Sequence, residues 1–355
     1  MSRPPVSHIV NVADRILADI RQRRLKPGDL YPGTADTAKS FRVSGSTVNR
    51  AFQLLAQRGV VERRQRRGTI VLDSRRRHPL PLQQVHLLIR EDHLRQEGLW
   101  AEGVLLGLQQ SLPGVTIQFT FRPSLEDEQS AGRVLDQFLR SRQSIGLVLF
   151  RSGVALQRLV QSSGLPAVVS GTLQPSIHDL PSVDRDQARI GELMADWLIQ
   201  QKCRTMLVLM RERMAPGDHL MLDSALQTFA QHRLTLNQVS LRFLPADAAA
   251  IQTLIETQLQ TARGTVGCLC RSERIAGVLR SLLASERWQH RARQLRIIVA
   301  DATRQTETEL PYPCIVPESS PHEFGRALGT ALLTELQRTA GPPIQTIVPV
   351  RLVLP

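Results

Sequence analysis

The chain has 355 residues, 42% of them hydrophobic, with 45 Lys and Arg against 32 Asp and Glu, a net charge of +13. That length provides for two or three domains, each able to bury a core, and the apolar share excludes a disordered chain. The charge is uneven: residues 1–78 carry 17 basic and 6 acidic residues, while the other 277 carry 28 and 26. A basic module of net +11 is thus joined to a nearly neutral one of net +2. A localised positive field points to a polyanionic partner, nucleic acid or an anionic membrane surface. No apolar run approaches the roughly 20 residues needed to span a bilayer. Met1-Ser2-Arg3-Pro4-Pro5 leads into an amphipathic helix, not the apolar core of a signal peptide. Cys203, Cys268, Cys270 and Cys314 have neither zinc-site nor disulfide-framework spacing, which fits a reducing cytoplasm.

Residues 7–24 read as a helix, with Ile9, Val12, Ile16 and Ile20 at helical spacing and Ser7 as its cap. Lys26-Pro27-Gly28-Asp29 stops it. A short helix follows, from about Thr34 to Phe41, with Ala38 and Phe41 inward. The turn Arg42-Val43-Ser44 opens a third helix, whose N-cap is Ser44 and whose buried face is Val48, Ala51, Phe52 and Leu55. Gly59 stands where a left-handed C-terminal cap is wanted. Strands at Val60–Arg63 and Thr69–Leu72 are joined by the basic hairpin Arg64-Gln65-Arg66-Arg67-Gly68.

Three helices with a tight turn before the third, then a hairpin, make a winged helix-turn-helix. A helix fits the DNA major groove and its first turn meets the base edges. That turn offers Ser44, Ser46, Thr47, Asn49 and Arg50. The wing offers Arg63, Arg64, Arg66 and Arg67 to phosphates or the minor groove, and Gly68 lets the backbone approach closely. Serine and threonine at a helix start also serve as caps, so Thr47 has two readings. An anionic membrane surface is disfavoured, because the helices' apolar faces close on one another.

Four segments fall in order: Leu25-Lys26-Pro27-Gly28-Asp29, Val43-Ser44-Gly45-Ser46-Thr47-Val48, Gly59-Val60-Val61-Glu62 and Arg67-Gly68-Thr69-Ile70-Val71. Over about residues 7–73 they resemble the GntR winged-helix domain. The resemblance implies DNA contacts from the first turns of the second and third helices and from the wing tip, with Thr47 and Gly68 matching the family. The family usually places arginines at the positions of Ala35, Gly45 and Asn49, and this chain has none there.

Residues 73–82, with Arg75-Arg76-Arg77 and two prolines, read as an exposed linker. Beyond it, strands are expected at Val85–Ile89, Val115–Phe121, Ile145–Phe150, Ala167–Ser170, Thr205–Met210, Val239–Phe243, Val266–Leu269 and Leu295–Ala300. Helices are expected near 97–111, 126–141, 153–163, 186–201, 218–232, 247–262, 273–285 and 321–339. Short apolar strands alternating with helices make parallel sheets covered on both faces. The fold class is α/β: a winged helix-turn-helix over 1–73, a linker over 74–84, and a two-lobed module of doubly wound sheets over 85–355. Ligands bind such lobes beyond the carboxyl ends of the strands, and two facing lobes close by hinge motion.

Ser182-Val183-Asp184-Arg185-Asp186 with the residues up to Gly191, Leu295–Asp301, and Val316-Pro317-Glu318-Ser319 with the residues up to Gly329 look like the effector domain of LacI-type repressors. That domain is itself similar to type I periplasmic binding proteins. The resemblance implies a small-molecule effector such as a sugar. It departs at Cys270-Arg271-Ser272, where the family often has Asn-Asp. Strand ends nominate Arg90, Asp92, Arg151, Asp184, Arg271 and Asp301 as effector contacts, because Asp and Arg grip hydroxyls through charge-assisted hydrogen bonds. Asp184 also suits a helix-capping role near Asp186. Cys268 and Cys270 share a strand face and read as buried inert thiols.

No phosphate-binding loop, nucleophile elbow or metal-protease motif is present, so no catalytic residue, cofactor or metal is expected. The reading is a cytoplasmic, ligand-responsive transcriptional regulator of repressor type. It would be a homodimer on a palindromic double-stranded DNA operator, with no membrane partner. The alternative is a ligand-sensing protein whose winged helix contacts protein instead of DNA.

Overall fold

The computed structural model describes residues 6–57, 59–64, 68–72, 82–90, 102–122, 128–141, 143–245, 247–261, 264–300, 311–338 and 341–355. The tip of the basic hairpin (65–67), the arginine run of the linker, Asp92 and Asp301 lie outside the described residues.

The chain opens with α1 (Val6–Gln22), β1 (Leu30–Tyr31), α2 (Thr34–Phe41), α3 (Gly45–Gln57), β2 (Val61–Arg64) and β3 (Gly68–Val71). The helical spacing of α1 places Ile9, Val12, Ala13, Ile16 and Ile20 in one buried stripe. Against it α3 buries Val48, Ala51, Phe52 and Leu55. Each such large side chain contributes about 1.5–3 kcal/mol relative to leaving it exposed. Because α1 already includes Val6, Ser7 lies within the helix and is not its cap. Arg42 turns left-handed (φ 55°), and its amide returns to the carbonyls of Ala38 and Lys39, closing α2. Gly59 (φ 63°) closes α3 the same way, with Gly59 and Val60 amides donating to Ala56 and Leu55.

The small sheet runs β1-β3-β2, all antiparallel. Its first strand was not expected from the sequence, since two residues cannot display an alternating pattern. Tyr31 anchors it: the ring meets Phe52 edge-on at 5.8 Å and the hydroxyl donates to Asp19 on α1 at 2.6 Å.

Strands and helices then alternate: β4 (Gln84–Arg90), α4 (Glu102–Ser111), β5 (Thr116–Arg122), α5 (Glu128–Leu139), β6 (Ile145–Phe150), α6 (Val154–Ser163), β7 (Ala167–Ser170) and β8 (Ser182–Arg185). Next come α7 (Gln187–Gln200), β9 (Thr205–Arg211), α8 (Pro216–Gln231), β10 (Val239–Leu244), α9 (Ala248–Thr261), β11 (Val266–Cys270) and α10 (Glu273–Leu283). The chain closes with α11 (Gln289–Ala292), β12 (Leu295–Val299), β13 (Cys314–Pro317), α12 (Pro321–Gln337), β14 (Gln345–Val348) and β15 (Val350–Val353). All eight expected strands are present. The expectation left out β8, β13, β14 and β15, and it took residues 182–185 only as a segment preceding a helix.

These elements fall into two compact units. The first comprises Met1–Glu91, Leu108–Ser182 and Arg326–Gln345; the second comprises Asp92–Gly107, Val183–Gly325 and Thr346–Pro355. One six-stranded sheet runs β14-β8-β7-β6-β4-β5 and the other β10-β9-β11-β12-β13-β15. In the first sheet β4 pairs parallel with β5 and β6, and β6 with β7. In the second β9 pairs parallel with β10 and β11, and β11 with β12, while β15 closes the edge antiparallel to β13. All residues of β6 and β11 are buried, as strands covered on both faces require. In the first unit Leu139, the last residue of α5, also packs against the winged-helix core. In the second, α7 and α8 approach so closely that a Cβ on Gly191 would lie 2.0 Å from the Met221 carbonyl oxygen.

Candidate nucleic-acid interface and effector-binding strand ends

The first turn of α3 is built around Ser44. Its hydroxyl accepts from the Thr47 amide at 3.1 Å and lies 2.7 Å from the Thr47 hydroxyl and 2.9 Å from that of Ser46. Thr47 is 2% exposed, so its side chain belongs to the cap and points away from solvent. Ser44, Gly45, Ser46 and Asn49 form the exposed row on this turn. Arg50 is half-buried, and its Nη1 is buried without a hydrogen-bond partner among the described residues.

From β2, Arg63 reaches across to α3. Its Nη1 donates to the Asn49 amide oxygen and its Nη2 lies 3.4 Å from the Thr34 hydroxyl at the start of α2. The guanidinium carbon stands 5.8 Å from the centre of the Phe52 ring. Gly68 has φ 89°, the left-handed conformation that favours glycine at the wing. The Arg64 side chain, Arg66 and Arg67 lie outside what the structure describes. Away from this face, burial raises the pKa of Asp19, but the hydrogen bonds from Tyr31 and Arg23 outweigh it and hold the carboxyl below its ordinary value.

The two sheets place their strand-end residues by topology. In the first, successive connections leave β4 for β5 on one side and then reach β6 on the other. Arg90 ends β4 and Arg151 follows β6, at the point where the strand order reverses, the usual ligand position in such sheets. Arg151 is half-buried and has φ 45°, a sparsely populated conformation for a side-chain-bearing residue. Beside it Ser152 is buried, and Gln157, 1% exposed, donates to the Ser152 carbonyl and hydroxyl while accepting from the Gln174 amide. The Arg90 side chain is outside the described set.

The second sheet repeats the reversal at β9 and β11. Arg211 ends β9 and Arg271 follows β11. Both engage Asp218 in the first turn of α8: Arg271 through Nε, and Arg211 through Nη1 at 3.5 Å. Asp218 also accepts from the Ala215 amide at 2.9 Å. Asp218 is fully buried and Arg271 is 3% exposed. Asp184 is half-buried and accepts from the Arg185 amide and the Gln187 side chain. The cap of α7 is Asp186, which accepts from the Arg189 amide, so Asp184 is not the capping residue. Cys268 and Cys270 are fully buried, and burial pushes the Cys270 thiol up to about 12.

Sequence reasoning missed Arg211, Asp218, Gln157 and Gln174. Arg211 directly follows an apolar run and could have been found as a strand end. Asp218 lies inside a helix in the sequence, and only the fold brings it to Arg271.

The described elements make a winged helix-turn-helix followed by two doubly wound, mostly parallel sheets. Residues 9–71 match the family model described as bacterial regulatory proteins, gntR family. No curated protein matches the chain. Among solved structures, a probable maltose operon transcriptional repressor MalR from Staphylococcus aureus superposes with a TM-score of 0.63 at 15% identity, covering 77% of this chain and 96% of that one. A transcriptional regulator CelR–cellobiose complex gives 0.63 at 14% identity over 99% of both chains. A LacI family regulator from Enterococcus faecium with bound ribose gives 0.59 at 14% identity, covering 76% and 97%. Residues 9–71 thus match the gntR-family model, and the fold of the chain is similar to that of these LacI-type structures.

Proposed function

We propose that the chain is a cytoplasmic repressor that binds a palindromic DNA operator as a homodimer and is controlled by a small polar metabolite such as a sugar. The gntR match over residues 9–71, on a module whose third helix exposes Ser44, Ser46 and Asn49 beside Arg63, carries the reading. A two-fold axis between protomers would place two such helices in successive major grooves, about 34 Å apart per helical turn. Cellobiose and ribose in the two structural neighbours support a sugar. So does chemistry: the half-buried Arg151 at the reversal point of the first sheet suits a hydroxylated ligand. The effector acts by binding two conformations unequally, which changes operator affinity. No catalytic step and no cofactor enter this function.

The test is a mobility shift on the DNA upstream of the protein's own gene, with and without mono- and disaccharides. Sequence-selective binding that falls steeply with salt and changes with one sugar is expected. Binding that is equal on unrelated duplexes overturns the DNA reading; selective binding indifferent to every sugar overturns only the choice of effector.

A further inference from the structure

We propose that Arg63 is a base-reading residue of the DNA interface, a guanidinium delivered from the wing strand onto the recognition helix to recognise a guanine in the major groove. The inference rests on the DNA-binding reading and names a specificity determinant within it.

Arg63 is exposed, yet it is held at three places, and each holder is neutral: the Asn49 amide oxygen, the Thr34 hydroxyl and the Phe52 ring. No carboxylate pairs with it among the described residues. Here the chain fixes the position of the guanidinium and leaves its charge unmatched.

The donor inventory says what it can meet. A guanidinium has five N–H groups. Two are engaged with Asn49 and Thr34, so three remain for a partner. Only the amide oxygen of Asn49 can accept from a guanidinium, so this contact also fixes which way the amide faces. The Asn49 oxygen spends one of its two lone pairs on Arg63, while its N–H donors stay free. Arg63 and Asn49 together therefore present a surplus of donors. Guanine is the base whose major-groove edge carries two acceptors, O6 and N7, with no donor between them.

Location agrees with this. Thr34 opens α2, and Asn49 lies in the first half of α3, the helix whose N-terminal part meets the base edges in a helix-turn-helix. Ala35 and Gly45 at those helix starts have no polar side chain, and Arg50 is half-buried with one nitrogen turned inward. Arg63 presents an exposed guanidinium beside these positions. Its contacts also remove part of the ordering cost that a mobile arginine would bear on binding.

The experiment uses the full chain and a random duplex pool. The unmodified protein selects a preferred operator by mobility shift at fixed salt. Arg63→Ala and Arg63→Lys are then measured on that operator, on single-base variants of it, and on an unrelated duplex. The expected result is a guanine preference at one position per half-site that both variants lose, by about tenfold or more. Arg63→Lys keeps the charge but not the fork, so its affinity for the unrelated duplex should stay near that of the unmodified protein. Two results overturn the inference alone: base preferences unchanged in both variants, or Arg63→Ala weakening all duplexes alike while the salt slope drops by about 0.9 and lysine restores binding, which marks a phosphate contact. Absence of any selective binding by the unmodified chain overturns the DNA reading and this inference with it.

Discussion

Replacing Asp218 by alanine tests whether the charges at the β9–β11 reversal are as dry as the structure shows. The carboxylate is fully buried, accepts from Arg271 and the Ala215 amide, and forms an ion pair with Arg211 at 3.5 Å. Its removal takes the carboxylate away from Arg271, a cation that is itself only 3% exposed. Breaking a buried pair by deleting one partner costs about 3–5 kcal/mol. Loss of the acceptor for the Ala215 amide adds about 0.5–1.5 kcal/mol. The second unit should therefore lose about 4–6 kcal/mol in Asp218→Ala. Asp218→Ala combined with Arg271→Met removes the buried pair, and since apolar replacement of such a pair is often neutral, the double variant should recover part of the loss, short of full recovery because Arg211 keeps its charge beside the site. The assay is urea unfolding followed through Trp197, which packs in the second unit, reading the midpoint of that transition and not a global two-state fit. A loss under about 1 kcal/mol in Asp218→Ala, or a double variant no more stable than the single one, would refute the reasoning.

Two further substitutions address packing and titration. Gly191→Ala gains about 1 kcal/mol of helix propensity, but its Cβ meets the Met221 carbonyl oxygen at 2.0 Å and the Ala225 nitrogen at 3.0 Å. Separating α7 from α8 should outweigh that gain, since overpacking costs about 1–3 kcal/mol or more; a raised melting temperature would contradict the close approach. His86 in β4 packs on Phe138 and lies 3.0 Å from the Thr120 hydroxyl, and burial holds its pKa below the ordinary histidine value. The unfolded chain binds a proton below about pH 6.5 that the folded chain refuses. This contribution is therefore complete above that pH, is lost as pH falls, and levels off below the folded pKa. His86→Gln should flatten the pH dependence of stability between pH 7 and 5, and an unchanged slope would count against it.

The parts of this chain legible in sequence are those where periodicity repeats over many residues. The stripe Ile9-Val12-Ile16-Ile20 and the continuous apolar strands such as Ile145–Phe150 announce their partners by pattern alone. Short or terminal strands do not: Leu30–Tyr31 is too brief for alternation, and Gln345–Val348 and Val350–Val353 follow a proline-containing stretch that reads as an ending. Capping was readable at Ser44 because the hydroxyl and its target amide are three residues apart. The Arg271–Asp218 pair was not, because 53 residues separate its members and two strands must pair before they meet. The same reason hid the hold on Arg63. As a member of an arginine-rich stretch it looked like one more phosphate ligand, and only the antiparallel register of Arg63 with Thr69 puts it over Asn49.

That register also changes what the amino-terminal charge can be held to do. The net +11 of residues 1–78 suits phosphates, whose attraction is long-ranged and blind to sequence. Discrimination among bases needs donors and acceptors fixed in place, and on α3 these are uncharged: Ser44, Ser46 and Asn49. A sequence reading therefore divides the labour cleanly, with charge for affinity and neutral groups for selection. Arg63 crosses that division. It belongs to the charged set by composition, but its neutral holders at Asn49, Thr34 and Phe52 give it the fixed geometry of the selecting set. A wing arginine so placed couples the two halves of the interface. Any shift of β2 relative to α3 that breaks the Asn49 contact would free the guanidinium to serve phosphate and would release the Asn49 oxygen to accept from a base. With Arg63 in the role proposed for it, the base preference of this module would depend on the docking of its wing as well as on the residues of its recognition helix.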